Sequence, residues 1–438
     1  MSDAQIPGQL GAAQEADTIE PGQTPAAPVP PKDDDGPFFP RLLRDIATGN
    51  ALIAVLAVVL ALLVGAILIA ATDPDVSAAS VYFFSRPSDT FAAIWNSVSA
   101  AYSALFQGAI VNVNGFDFPS VIKPLTDTLS YATPLIAAGL GVALSFRVGL
   151  FNIGGQGQML VAAGAAGWVG TSFNLPIYVL LPLALAAAIV AGAIWSGLVG
   201  LLKARTGAHE VIVTIMLNYV ALYLLSYLLR TPGALQATHT SNPVSAPMKP
   251  AAIYPPILGD RFTLNVGFLF AIVATIIVWY LLNRSSLGFK LRAIGENPRA
   301  ASVAGIDVKN VIVIAMLISG ALVGIAGAYQ VQATITTGFG SGIDANIGFD
   351  AITVALLGRS RPWGVFAAGI LFGAFKAGGY AMQPLGVPID IISVVQSLIV
   401  LFIAAPPLVR SIFRLPSARR VPRAKQARIS GKKAVVTK

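Results

Sequence analysis

Residues 152–164 read NIGGQGQMLVAAG, and residues 346–358 read NIGFDAITVALLG. Both begin Asn-Ile-Gly, both end in glycine twelve positions later, and Gln156 falls opposite Asp350. Each lies in apolar sequence of the kind that crosses a bilayer in roughly 20 residues. An unpartnered amide facing hydrocarbon costs several kcal/mol, so amides and glycines at matched places in two such segments need a reason. If the two stretches point in opposite directions they are halves of an inverted repeat, and glycine-interrupted segments at corresponding places mark a binding site near the midplane.

Direction depends on how many segments separate them. Ten are expected: residues 51–71, 125–146, 148–170, 177–202, 211–229, 264–282, 311–330, 347–358, 365–380 and 389–409. With the N-terminus cytoplasmic, the basic residues collect after the even-numbered segments, as the positive-inside rule requires. Arg147 follows the second, Lys203 and Arg205 the fourth, Arg284 to Lys309 the sixth, and Arg359 and Arg361 the eighth. Both termini are then cytoplasmic, the third segment runs outward and the eighth inward. The eighth is too short to span about 30 Å of hydrocarbon as a straight helix, so it is expected as a half-helix. The fold class is an all-α polytopic membrane protein of about ten transmembrane segments, with an inverted repeat and broken or half helices. Such long, uniformly apolar segments do not suit barrel strands. On the outer side, residues 88–111 carry Phe91, Ile94, Trp95, Val98, Tyr102, Leu105 and Phe106 at helical spacing, which suits a surface helix or packing on the outer face.

Composition agrees. Of 438 residues, 55% are hydrophobic and 11% charged, where a soluble domain carries about 25% charge. There is no cysteine, which excludes disulfides and thiol chemistry, and only His209 and His239 are histidines, which disfavours a His-rich metal site. The formal charge of +9 is local: the ten Lys and Arg from Arg410 to Lys438 leave the rest near −1. Basicity of that kind suits a cytoplasmic tail beside anionic lipid and argues against nucleic-acid binding. Residues 1–40, rich in Pro, Gly, Ala and acid, are expected as a disordered cytoplasmic tail too polar for a signal peptide, with the first span an uncleaved anchor. The membrane domain is expected over 41–409 and the basic tail over 410–438.

Amides in apolar segments face the protein interior or a water-filled cavity. Asn152, Gln156 and Gln158, with Asn218 and Gln330, are candidates to line a pathway for a polar, uncharged solute. Asn346, Phe349 and Asp350 of the matching stretch complete the set, and Gln332 and Gln383 are further amides near membrane segments. The competing reading is helix–helix hydrogen bonding, worth about 0.6 kcal/mol on average. No phosphate-binding GxxxxGK[ST] loop, HExxH or GxSxG occurs. The few membrane acids, Glu210, Asp350 and Asp390, sit near segment ends, whereas ion-driven transporters keep acids in mid-membrane. The chain therefore reads as a translocation pathway powered from elsewhere, not as an enzyme. The inner loop supports this: Asn297-Pro298 opens a short helix over 299–304 that Gly305 closes, well suited to docking a soluble partner. A stand-alone ion-coupled secondary transporter of a small polar solute is the rival reading, and a channel is disfavoured by the lack of a filter.

Four stretches in order, GLFNIGGQGQM (149–159), HEVIVTIMLNY (209–219), LGFKLRAIGENPRAASVAGI (287–306) and GFDAITVALLG (348–358), carry a family resemblance. From about 51 to 409 the chain resembles the permease subunits of ABC importers for nucleosides and simple sugars, relatives of the ribose permeases. The long outer insertion before the second segment is most similar to the nucleoside branch, whose permeases work as two unlike subunits. The resemblance implies a multi-pass protein of the bacterial cytoplasmic membrane, with a coupling helix whose positions match Glu296, Asn297, Pro298, Arg299 and Gly305. It also implies an ABC ATPase subunit beneath, which uses the ATP, a second permease alongside and an extracytoplasmic substrate-binding protein above. No cofactor is implied for this chain. Many relatives have glutamate where Gln156 stands, so the site here is less acidic.

Overall fold

The computed structural model describes residues 50–414 apart from His239. They belong to the second of two units into which the chain divides, 50–438. The expected N-terminal tail, and the C-terminal tail beyond 414, lie outside the described residues. Among those residues the secondary structure is helical, with two isolated β-bridges, Gln236–Ser245 and Pro256–Asn265.

We number the helices α1 Asn50–Thr72, α2 Pro74–Ser80, α3 Pro87–Ala109, α4 Phe118–Arg147, α5 Gly155–Ser172, α6 Ile177–Thr206, α7 Glu210–Arg230 and α8 Gly267–Arg284. Then follow α9 Ser286–Glu296, α10 Pro298–Val303, α11 Val308–Tyr329, α12 Ile347–Leu357, α13 Pro362–Met382, α14 Ile389–Ala404 and α15 Pro406–Ile412. Seven described helices, α1, α4, α6, α7, α8, α11 and α13, are long and apolar enough to cross a membrane. The other three expected segments are α5, α12 and α14, which are shorter or less apolar.

Two expected boundaries are corrected. The third segment starts at Gly155, not at 148, because residues 149–154 are not helical. Gly149 takes φ +77°, and the Asn152 side chain accepts the Gly154 N–H, so an asparagine competes with the helix for backbone donors. The tenth segment is not continuous over 389–409. It breaks at Ala405, where Pro406 and Pro407 supply no N–H to continue the helix.

Small residues let these helices approach closely, as membrane helices need when no hydrophobic force drives them together. On α6, Ala188, Gly192, Ser196 and Gly200 recur every four residues; the first three face Gly320 and Gly324 of α11, and Gly200 meets Val313 and Met316 of the same helix. A Cβ on Gly320 would lie 2.1 Å from the Gly192 carbonyl oxygen. Gly369 and Gly373 do the same for α13 against α4, where a Cβ on Gly373 would lie 2.5 Å from the Thr128 carbonyl.

The pairings repeat. α4 packs on α13 and α12 as α11 packs on α6 and α5, and α4 and α11 pack on each other at the centre. Each helix of 118–206 thus has a counterpart in 308–382. α1, α3 and α14 form a separate apolar cluster around Ala57, Ala61, Val395 and Ile399. α3 packs on α13, Gly108 against Gly378 and Ala381, while its Phe91, Trp95 and Phe106 remain exposed.

Candidate translocation site

The two Asn-Ile-Gly stretches meet. A Cβ on Gly155 would lie 2.8 Å from the Gly348 carbonyl, and one on Gly348 would lie 2.3 Å from the Gln156 nitrogen. Only glycine on both sides allows this contact between the first turns of α5 and α12. At 1.5 Å per residue, Asn218, which bonds Gly157, lies about 12 Å from the start of α7, and Ser319, which bonds Asn152, about 16 Å from the start of α11. Gly348 lies about 15 Å from Gly358 at the far end of α12. The crossing is therefore near mid-membrane.

From it the two helices diverge in opposite directions. α5 runs toward the loop of residues 231–266, where the Gly170 carbonyl accepts the Lys249 N–H. α12 runs toward the turn at Ser360, whose carbonyl accepts from Arg147 Nε at 2.9 Å. Facing N-termini of two such helices put two positive dipole ends at one depth. The loop into α12 is held in the left-handed region at Ala345 (φ 45°) and Asn346 (φ 62°), which costs a non-glycine residue about 1–2 kcal/mol.

The predicted amides divide by environment. Asn152 is fully buried: its Nδ2 donates to Ser319 Oγ at 3.1 Å, and its Oδ1 accepts from Gly154 N and Gln158 Nε2. Gln158 is buried beside it with Oε1 unpartnered. Asn218 Oδ1 accepts from Gly157 N at 2.8 Å and its Nδ2 donates to the Ile153 carbonyl at 3.0 Å. Gln330 Nε2 donates to the Ile343 carbonyl at 2.9 Å. These four brace the broken backbone on both sides of the crossing.

Gln156 and Asp350 are instead half-buried, and Asn346 and Phe349 are exposed. Gln156 is half-buried within hydrogen-bonding reach of the Asp344 carboxylate. Asp350 Oδ2 lies 3.9 Å from Lys376 Nζ, with the two side chains 30% and 23% exposed. Lys376 also donates to the Ala345 carbonyl at 3.4 Å. One turn further along α13, Tyr380 lies 5.5 Å from Tyr131 of α4, ring centre to ring centre.

Sequence reasoning passed over four of these residues. Lys376, the lone charge inside GAFKAGGY, was visible as an intramembrane cation; Asp344, in a loop at membrane depth, had no such signal. Tyr131 and Tyr380 look like ordinary helix aromatics until the fold pairs them. Of the membrane acids noted above, Glu210 pairs with Lys203 at 2.5 Å and Asp390 is exposed in the first turn of α14.

At the other end of the molecule, α9 is a helix that the loop sequence did not announce. Ser285 caps it, and Asn297 caps α10, its Oδ1 accepting from the N–H groups of Arg299 and Ala300. Gly305 closes α10 at φ +82°. Ala301 anchors α10 inward, while Glu296 to Arg299 and Ser302 to Gly305 are exposed, and Val303 is 91% exposed.

A charge pair at mid-depth that is about a quarter exposed is costly against lipid. It faces a water-filled path or another chain, which is the demand a transport component meets. Residues 125–404 match the family described as branched-chain amino acid transport system / permease component. The chain belongs to this permease family. The permease is 40% identical to the guanosine ABC transporter permease protein NupP of Bacillus subtilis, over 72% of this chain and 88% of that one. It is 36% identical to the glucose ABC transporter permease protein TsgB13 of Haloferax volcanii, over 64% and 75%. It is 30% identical to a second guanosine ABC transporter permease protein of Bacillus subtilis, NupQ, over 58% and 80%. No solved structure gives a significant match. The permease is thus a membrane subunit of an ABC importer, a multi-pass protein of the cytoplasmic membrane.

Proposed function

We propose that the permease forms one wall of a translocation pathway for a nucleoside, completed by a second, non-identical permease. The observation that carries this is the Asp350–Lys376 pair, partly exposed beside the crossing of α5 and α12. The pathway residues are Gln156, Asn346, Phe349 and Asp350, with Lys376, Asp344, Tyr131 and Tyr380. Amide, carboxylate and ammonium groups suit ribose hydroxyls and base edges, and the exposed rings of Phe349 and Tyr380 suit stacking on a base. The guanosine name of NupP, a relative matched over most of its length, favours a nucleoside over a hexose. Two unlike relatives in one organism carrying that same name support a pair of unlike permeases.

Energy comes, on this reading, from a separate ATPase docked on α10 at the cytoplasmic face, and a substrate-binding protein docks on the opposite side. The exposed Val303 beside Arg299 gives α10 an apolar knob with a basic neighbour, a combination fit for a protein groove. This chain itself binds no cofactor.

The test is uptake of labelled guanosine into vesicles holding the permease alone, or with its companion permease, ATPase and binding protein. ATP-dependent uptake by the full set only, competed by unlabelled nucleosides and not by glucose, is expected. Uptake by the permease alone, driven by a sodium or proton gradient, would establish the stand-alone reading instead.

A further inference from the structure

We infer that the cleft between Arg147, Arg292 and Arg361 is a binding site for the headgroup of an anionic phospholipid. The three guanidinium groups come from three elements: the end of α4, the middle of α9 and the start of α13. They line one cavity of about 560 Å³ together with Asn283, Trp279 and Trp363. No ion pair among the described residues involves any of the three. Arg147 spends its Nε on the Ser360 carbonyl and Arg292 its Nη1 on the Leu282 carbonyl. Those bonds fix the positions of both guanidinium groups without neutralising them.

Three positive charges in one cleft repel one another, and an anion is what relieves them. Planar guanidinium groups match the oxygens of a phosphate two at a time. The Arg359–Ser360 turn, with φ of 53° and 51°, presents the Ser360 carbonyl to Arg147 and leads directly into Arg361.

The surroundings select a lipid rather than a free phosphate or an acidic protein. Trp363 is 49% and Trp279 37% exposed, and tryptophan collects where headgroups meet hydrocarbon. From the cleft an exposed apolar stripe leads along α8 through Ile276 to Val273, at helical spacing from Trp279. An acyl chain laid on that stripe puts its phosphate at the arginines. The cleft also opens beside the basic loop of α9 and α10, the side where an anionic leaflet is expected.

The test places the permease in nanodiscs of phosphatidylcholine with a minor fraction of phosphatidylglycerol. The acyl chains of one lipid at a time are brominated, and quenching of Trp363 is read in a variant whose other tryptophans are phenylalanine. Brominated phosphatidylglycerol should quench at a mole fraction at least about fivefold lower than brominated phosphatidylcholine, the factor one arginine supplies at an anionic surface. Arg292→Gln with Arg361→Gln should abolish that preference while leaving phosphatidylcholine quenching unchanged. Equal quenching by the two lipids, or a preference that survives the double substitution, overturns the inference. So does loss of the preference on adding inorganic phosphate, which makes the site one for the free anion. Loss of ATPase binding by the double variant in nanodiscs of phosphatidylcholine alone assigns the cleft to an acidic side chain of that partner and equally overturns it.

Discussion

At the scale of single residues, three amides in one short stretch do two different things. Asn152 and Gln158 are enclosed, and Asn152 is bonded three times; Gln156 keeps an open side. Asn152→Ala should therefore lower stability, by about 1–3 kcal/mol for the unpaired donors and acceptors it strands, and reduce the folded yield. Gln156→Leu should leave the melting temperature within about a degree and weaken transport by roughly tenfold, the effect of about 1.4 kcal/mol. Measuring melting and uptake for both variants separates the roles, and equal loss of stability in the two would erase the distinction. Lys376→Met should remove transport while Asp350 stays half-solvated, so folding survives. The exchange Asp350→Lys with Lys376→Asp should restore part of the transport if the pair acts as a pair. The sequence placed all these residues in apolar segments and marked the amides as out of place. It could not say which amide is buried, because the partner of Asn152 is Ser319, 167 positions away. That is settled by packing, not by the local pattern.

At the scale of elements, the match between residues 152–164 and 346–358 was legible, and so was the half-helix length of α12. Their contact through Gly155 and Gly348 followed from neither. It needs two glycines to fall at one point of the fold. Gly348→Val should force α5 and α12 apart, at an overpacking cost of about 1–3 kcal/mol, and abolish uptake before it abolishes membrane insertion. Retained uptake in that variant would mean the crossing is slack. Gly192→Leu, between α6 and α11, should be worse for folding, because its Cβ would meet the Gly320 carbonyl at 2.4 Å. α10 was readable from Asn297, Pro298 and Gly305, since capping chemistry is local. Arg299→Glu or Val303→Asp should lower ATPase co-purification and transport together, with insertion unchanged; normal uptake in either would make α10 a merely solvated loop. The break of the tenth segment was also written locally, in Pro406-Pro407, but an apolar count runs through it.

At the scale of the whole molecule, the first turns of α5 and of the half-helix α12 meet near mid-membrane, with Gln156, Asn346 and Asp350 beside the crossing. The pairing of α4 with α13 and α11 with α6 sets that meeting at the centre of two matching halves. The absence of native cysteine makes the claim directly measurable. Single cysteines at 156, 346, 350 and 376, and at 152 and 158, are treated with a small water-soluble thiol reagent in the assembled transporter. The first four should react, and guanosine should slow them; the last two should stay unreactive with or without ATP. Unreactive cysteines at 346, 350 and 376 in every nucleotide state, with reaction at 152 and 158, would contradict the account.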